Sequence, residues 1–251
     1  MEENCGVFGL CSADKKQVVK DIYYGIFKLQ HRGQRYCGIA TSSQADIHII
    51  THKGFVRHTF TEEELRLLKG PIGIGHVSLK DRQPVVLISR MGKFAIAFSG
   101  NILNSVKLRN QLKNEGHSFS SETDIELLGK LISYEKNFLN GIIKLSEKVK
   151  GAYSIVILTK DGIYAARDPY GFKPLILGKK EGSLAVSSES RPFDILGMEI
   201  LRDVEPGEVI FISKKGLDTL TKIKNSTPAF CAFEWAYTAS IDSIIEGIPV
   251  I

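Results

Sequence analysis

Residues 153–166 read YSIVILTKDGIYAA, and this stretch decides the fold class. Residues 153–158 and 163–166 are runs of β-branched and aromatic side chains, the composition that suits a half-buried pleated surface. Between them Asp161-Gly162 is a hairpin signal. The two runs are therefore expected to lie side by side and antiparallel. Working outward, residues 7–10, 46–51, 73–77, 93–98, 175–177 and 209–212 have the same character and read as further strands.

Helical spacing appears elsewhere. Val18, Val19, Ile22, Ile26 and Leu29 mark one apolar stripe. Asn104 ahead of Val106, Leu108 and Leu112 predicts a capped amphipathic helix, and Thr123 ahead of Ile125, Leu128 and Ile132 predicts another. A third helix is expected over 139–149, with Gly151 just beyond it. Helices thus fall in groups rather than alternating strictly with strands. That pattern excludes a doubly wound parallel sheet and predicts an α+β fold, two antiparallel sheets face to face with helices outside. No repeat, low-complexity tract or Pro-rich linker divides the 251 residues, so one domain is expected.

Composition excludes several functions. The net charge of +5 is spread along the chain, with basic clusters no longer than pairs such as Lys15-Lys16 and Lys179-Lys180. Nucleic-acid binding needs a concentrated stripe and is not expected. No apolar run approaches the ~20 residues of a membrane helix. Met1-Glu2-Glu3-Asn4 lacks the basic-then-apolar pattern of a leader, so the expected address is cytoplasmic. The four cysteines, Cys5, Cys11, Cys37 and Cys231, form no CxxC pair and are expected to be reduced. His48, His52 and His58 are read as the polar face of a hairpin, and no metal is expected.

Cys5 stands directly before Gly6-Val7-Phe8-Gly9. By position alone it is a small buried residue of a first strand. If residues 1–4 are a removable propeptide, however, Cys5 carries a thiol together with an α-amine of pKa about 7.7–8.0, a nucleophile and its own base.

The rest of the chain supplies context. Cys5-Gly6-Val7-Phe8-Gly9, Leu29-Gln30-His31-Arg32-Gly33-Gln34, Gly73-Ile74-Gly75-His76-Val77, Ser99-Gly100-Asn101 and Thr123-Asp124-Ile125-Glu126 occur in that order. They are followed by Arg167-Asp168-Pro169-Tyr170-Gly171-Phe172-Lys173-Pro174-Leu175, Ser187-Ser188-Glu189-Ser190, Pro206-Gly207-Glu208 and Cys231-Ala232-Phe233-Glu234. In this order the segments resemble the class II glutamine amidotransferase domain of the amidophosphoribosyltransferase family, over residues 5–251. The resemblance implies an N-terminal-nucleophile hydrolase fold, a four-layer αββα sandwich. It also implies that L-glutamine is hydrolysed and its ammonia passed to a phosphoribosyltransferase domain or chain, which residues 5–251 do not include. A homo-oligomer with no cofactor in this chain is expected. Cys5 matches the nucleophile and Gly100 a glycine whose N–H lines the oxyanion hole. Asp124 matches the acid that holds the substrate ammonium, although it could equally cap a helix. Arg32 and Gly33 match residues that shape the site, although Arg32 could equally be a structural ion pair.

Departures from the family fall where the chemistry would be. Ser78 stands where the family has the Arg that grips the substrate carboxylate, and Ser78-Leu79-Lys80-Asp81-Arg82 is shorter than the family's glutamine loop. Lys80 or Arg82 could return the charge, but the motif places neither. Losing a charged hydrogen bond typically costs about 1.5–3 kcal/mol. Ser99 replaces an oxyanion-binding Asn; with Gly100 it is the candidate oxyanion donor, able to give one hydrogen bond of shorter reach, and removing such a donor commonly costs about a hundred- to a thousandfold in rate. Thr238-Ala239-Ser240 stands where Arg-Pro is usual. These changes raise an alternative, a catalytically weak module acting as scaffold or regulator of a separate phosphoribosyltransferase. Cys231 matches an iron–sulfur ligand of some relatives, but without the other ligands it is read as a structural thiol. The 171–174 stretch is read as a fixed turn at a sheet edge, not a phosphate loop.

Overall fold

The computed structural model describes residues 5–14, 17–43, 46–223 and 227–251. In chain order its strands are β1 (Cys5–Ser12), β2 (Tyr36–Ser42), β3 (Ile47–Lys53), β4 (Ile72–Ser78), β5 (Val85–Ser89), β6 (Gly92–Ile102) and β7 (Gly151–Leu158). There follow β8 (Gly162–Arg167), β9 (Ile176–Lys180), β10 (Ser183–Ser187), β11 (Glu199–Asp203), β12 (Glu208–Ser213), β13 (Gly216–Lys222) and a short terminal pair, β14 (Ile244–Ile245) and β15 (Ile248–Pro249). Helices are α1 (Val19–Lys28), α2 (Val56–Thr59), α3 (Glu62–Leu67), α4 (Ser105–Asn114), α5 (Asp124–Ser133), α6 (Phe138–Lys148) and α7 (Arg191–Leu196). One antiparallel sheet runs β11-β9-β10-β1-β4-β2-β3, and a second runs β13-β12-β8-β7-β6-β5.

The expected hairpin is β7–β8, with Leu158 opposite Ile163. Thr159 closes it by donating both its N–H and its hydroxyl to the Gly162 carbonyl, each at 2.9 Å. Strand alternation then builds the layers. Val7, Ile74, Ala97, Val156, Ala165 and Ile210 meet between the two sheets. On the far side of the first sheet Phe8, Ile22, Ile26, Leu29 and Phe193 pack it against α1 and α7. On the far side of the second, Phe94, Ile125, Leu128, Ile142 and Leu145 pack it against α5 and α6. The order is therefore helix, sheet, sheet, helix. Each fully buried Ile or Phe contributes about 1.5–3 kcal/mol. Gly25 lets α1 settle onto β1, since a Cβ there would lie 2.8 Å from the Phe8 ring.

Several expectations need correction. Strands β2, β5, β10, β11 and β13 were not expected from the sequence, although Val85-Val86-Leu87-Ile88 of β5 is as β-branched as the runs read as strands. Asn104 and Thr123 do sit at the N-caps of α4 and α5, but neither side chain caps its helix. Asn104 instead bridges the Lys148 carbonyl and the Lys150 N–H. The 171–174 turn is fixed, but it carries the chain from β8, inside one sheet, to β9 of the other rather than lying at an edge. His48 and His52 lie on β3 and His58 on α2, and His52 Nε2 is 3.1 Å from Glu64. Among the described residues no helix is long and apolar enough to cross a membrane.

Polar contacts tie the sheets together near one end. His76 of β4 is fully buried, and its Nε2 lies 3.0 Å from the Phe98 carbonyl on β6. That contact requires the proton on Nε2 and leaves Nδ1 without a partner among the described residues. Burial pushes the His76 imidazolium down to about 3 from 6.5. A depressed folded value means that the unfolded chain binds the proton first. The contribution of His76 is thus complete above pH 6.5 and is lost as pH falls toward 3. In His76→Gln, the fall of the urea midpoint between pH 6.5 and 4.5 should be shallower than in the native chain; an identical slope would contradict this assignment.

Candidate active site

Cys5 begins β1 with Ser78 of β4 directly opposite, and it is 7% exposed. Its carbonyl accepts from Arg32 Nε at 3.0 Å and from Ser99 Oγ at 2.8 Å. Three elements thus fix the backbone of the thiol-bearing residue: β1 itself, the 3-10 turn Gln30–Arg32 and β6. Its Sγ lies 3.6 Å from Ser78 Oγ. That hydroxyl also accepts from the N–H groups of Lys80 (2.9 Å) and Asp81 (3.1 Å), closing the turn that follows β4. With both acceptor positions occupied, its own proton is free to meet a thiolate. Burial pushes the Cys5 thiol up, while Ser78, Lys173 and Arg32 pull it back.

Close approach is made possible by glycines. A Cβ on Gly33 would lie 2.3 Å from the Ser78 nitrogen, so only Gly admits β4 there. Gly100 has φ +155°, and a Cβ on it would lie 2.1 Å from the Ala152 carbonyl oxygen. Gly38 similarly admits the Gln83 carbonyl, 2.2 Å from where its Cβ would be. Gln83 in turn accepts the Phe98 N–H at 2.8 Å. Phe98 is therefore held at its N–H by Gln83 and at its carbonyl by His76, immediately before Ser99 and Gly100.

Cys5, Ser78, Gly100 and Asp124 line one cavity, together with Lys80, Asp81, Gln83 and Phe98. Its free space is about 10 Å³, room for roughly one water. Asp124 is the first residue of α5 and 7% exposed. Its contact is Lys80 Nζ, 3.6 Å from Oδ2. Ser99, Arg32 and Gly33 do not line the cavity. The Ser99 hydroxyl is committed to the Cys5 carbonyl, Arg32 donates to that same carbonyl, and Gly33 leaves room for the Ser78 backbone.

Arg32 is fully buried and forks between two carboxylates, Nη1 to Glu189 at 2.5 Å and Nη2 to Glu234 at 2.6 Å. Glu189 also accepts from His31, Ser240 N–H and Ser243 Oγ, and Glu234 from Lys173 Nζ at 2.7 Å. Burial opposes these charges, but mutual attraction outweighs it. Arg32 is held above its ordinary value, and Glu189 is held down at about 2. Lys173 is placed by its own loop. The Asp168 carboxylate accepts the N–H groups of Tyr170, Gly171 and Lys173, while Arg167 donates to the Lys173 and Gly171 carbonyls.

Residue spacing gave no role to Glu189, Glu234, Lys173, His76 or Gln83. The first four lie inside segments that carried the resemblance, and that was the available signal. Arg32→Met should leave two buried carboxylates without their shared cation and cost about 3–5 kcal/mol, read as a lower urea midpoint, with Arg32→Lys recovering part. Because the folded Glu189 value of about 2 lies below 4.5, its contribution is complete above pH 4.5 and disappears toward pH 2. In Arg32→Met that acid-dependent loss should largely vanish.

The profile of a glutamine amidotransferase domain family matches residues 73–194. Amidophosphoribosyltransferase of Methanothermobacter thermautotrophicus is 40% identical over 98% of this chain and 55% of its own length. That of Bacillus subtilis is 34% identical over 100% and 54%. The solved structure of the B. subtilis glutamine phosphoribosylpyrophosphate amidotransferase, complexed with ADP and GMP, superposes with a TM-score of 0.92 over 98% of this chain and 55% of that one. The chain spans about half the length of the curated relatives it matches. By sequence and by fold it belongs with the glutamine amidotransferase domains of the amidophosphoribosyltransferase family.

Proposed function

We propose that this chain hydrolyses the side-chain amide of L-glutamine and supplies the ammonia to a phosphoribosyltransferase domain or chain. The observation that carries the reading is one cavity lined by the Cys5 thiol, the Gly100 backbone and the Asp124 carboxylate, with the Cys5 carbonyl held from behind. Cys5 Sγ attacks the amide carbon and the thiol proton is taken up by a base. The oxyanion on the amide oxygen meets the Gly100 N–H. The proton passes to the leaving nitrogen, the C–N bond breaks, and ammonia departs from a thioester. Water then cleaves the thioester, giving glutamate and restoring the thiol. The base is the α-amine of Cys5, freed by removal of residues 1–4, which lie outside the described residues. Asp124 binds the substrate α-ammonium. The ammonia attacks phosphoribosyl pyrophosphate on the partner, forming phosphoribosylamine and releasing pyrophosphate, a step of purine synthesis. A cytoplasmic homo-oligomer without a resident cofactor completes the proposal.

Two observations favour a second reading, a weak module that scaffolds or regulates the transferase. The Ser99 hydroxyl faces the Cys5 carbonyl rather than the cavity, and the cavity as it stands holds about one water. Intact mass after incubation with a diazoketone analogue of glutamine separates the two. The amidotransferase reading expects loss of residues 1–4 and one adduct, absent in Cys5→Ala, together with release of glutamate from glutamine. A full-length, unlabelled chain that makes no glutamate would leave the second reading standing.

A further inference from the structure

A second cavity, of about 620 Å³, is lined by α1 and α3 and shares no residue with the one beside Cys5. None of the segments that carried the family resemblance reaches it. Its walls follow from helical spacing. Lys20, Tyr23 and Tyr24 stand three and four residues apart on α1 and so share one face, as do Glu62, Leu65 and Arg66 on α3. Phe60, just ahead of α3, adds a third ring. It stands at 83° to Tyr23 with centroids 6.2 Å apart, and Tyr24 meets Tyr23 at the same angle and 5.5 Å. The wall is fixed in advance, although α3 contains no buried residue. A capping box joins Thr61 and Glu64, Glu64 lies 3.1 Å from His52, and the His52 ring stands edge-on to Phe60 at 4.9 Å.

Charge around this cavity is uneven. Arg66 and Glu62 neutralise each other, 3.2 Å apart. Lys20 and Lys69 also line it and have no ion-pair partner among the described residues, and Asp21, the carboxylate next along α1, is not part of the lining. Two cations without a counter-charge thus border an interior of aromatic and aliphatic side chains. Gln17 adds a neutral donor, since its Oε1 accepts the Gly70 N–H at 2.6 Å and its amide N–H groups remain.

We propose that this cavity binds a small aromatic anion, one or two rings bearing a single negatively charged group, at a site separate from the glutamine chemistry. The ligand rings lie against Tyr23, Tyr24 and Phe60, whose crossed planes offer a face and an edge together, the arrangement that aromatic groups prefer. The charged group meets Lys20 and Lys69. An aliphatic acid gains the apolar contact but not the ring geometry. A cation is repelled by the same two lysines, so the three rings are not a cage for an ammonium. The volume falls inside the range of about 300–1,000 Å³ typical of small-molecule sites, and walls held before binding reduce its entropic cost.

Fluorescence titration of the full chain with two matched dyes tests this. Anilinonaphthalene sulfonate is an aromatic anion, and phenylnaphthylamine is the same ring system without the charge. One sulfonate dye should bind per chain. In Lys20→Gln/Lys69→Gln its affinity relative to the neutral dye should fall about tenfold, the size of one charge-assisted contact. Tyr23→Leu, which keeps an apolar side chain but removes the ring, should weaken both dyes about fivefold. Cys5→Ala should bind as the native chain does, which keeps the result apart from the glutamine reading. A native chain without a saturable site would overturn the proposal, as would an unchanged dye ratio in the double-lysine variant. Loss of binding in Cys5→Ala, or in Phe233→Ser, would place the dye elsewhere and overturn it too. Unchanged melting temperatures in the variants show that dye uptake does not report unfolding.

Discussion

The guanidinium of Arg32 is the interaction on which the site depends. It lies with no solvent contact between two glutamates and the Cys5 carbonyl. A buried ion pair is weak support for stability as such, because desolvation offsets much of the attraction. Its value here is geometric. A planar fork with fixed donor directions can meet three acceptors only when all three are in place. Cys5 at position 5, Glu189 and Glu234 are therefore registered against one rigid group. The thiol inherits its position from that agreement, not from the strand alone.

A second constraint acts across the sandwich. Two sheets packed through aliphatic side chains are free to slide by small amounts, because dispersion contacts carry little direction. Hydrogen bonds from His76 to the Phe98 carbonyl, from the Phe98 N–H to Gln83, and from Ser99 to the Cys5 carbonyl remove that freedom at one end of the interface. Gly100 on β6 and Cys5 on β1 belong to different sheets. Directional contacts keep them at a fixed separation. The same need explains the glycines at 33 and 38, which bring backbone where a methyl group would hold it off.

Much of the architecture was legible. The hairpin at 158–163 and the stripe from Val18 to Leu29 follow from local composition, and both are present. Strand β2 was not legible, because YCGIATS is broken by Gly and mostly small residues and owes its burial to its neighbours β3 and β4. The cap positions were right while the cap chemistry was not, since the Asn104 side chain meets a more distant pair of backbone groups. The site divides in the same way. Cys5, Gly100, Asp124 and Ser78 do converge on one cavity. The counter-charges of Arg32 sit more than 150 residues away in the chain, and no spacing rule reaches that far. Nor does sequence tell which way a serine hydroxyl turns. Ser99 was expected to face the substrate, and its proton instead points at the Cys5 carbonyl.

Glu234 opens a single π-helical turn, Glu234–Thr238, whose outer side bears the stacked rings of Phe233 and Tyr237, 58% and 78% exposed. From the Glu234 carboxylate two hydrogen bonds lead inward, through Arg32, to the Cys5 carbonyl. The surface aromatics are thus linked to the backbone of Cys5 through the side chains of Glu234 and Arg32. Hydrogen bonds are directional, so a shift of that turn is felt at the carbonyl that fixes the thiol-bearing residue.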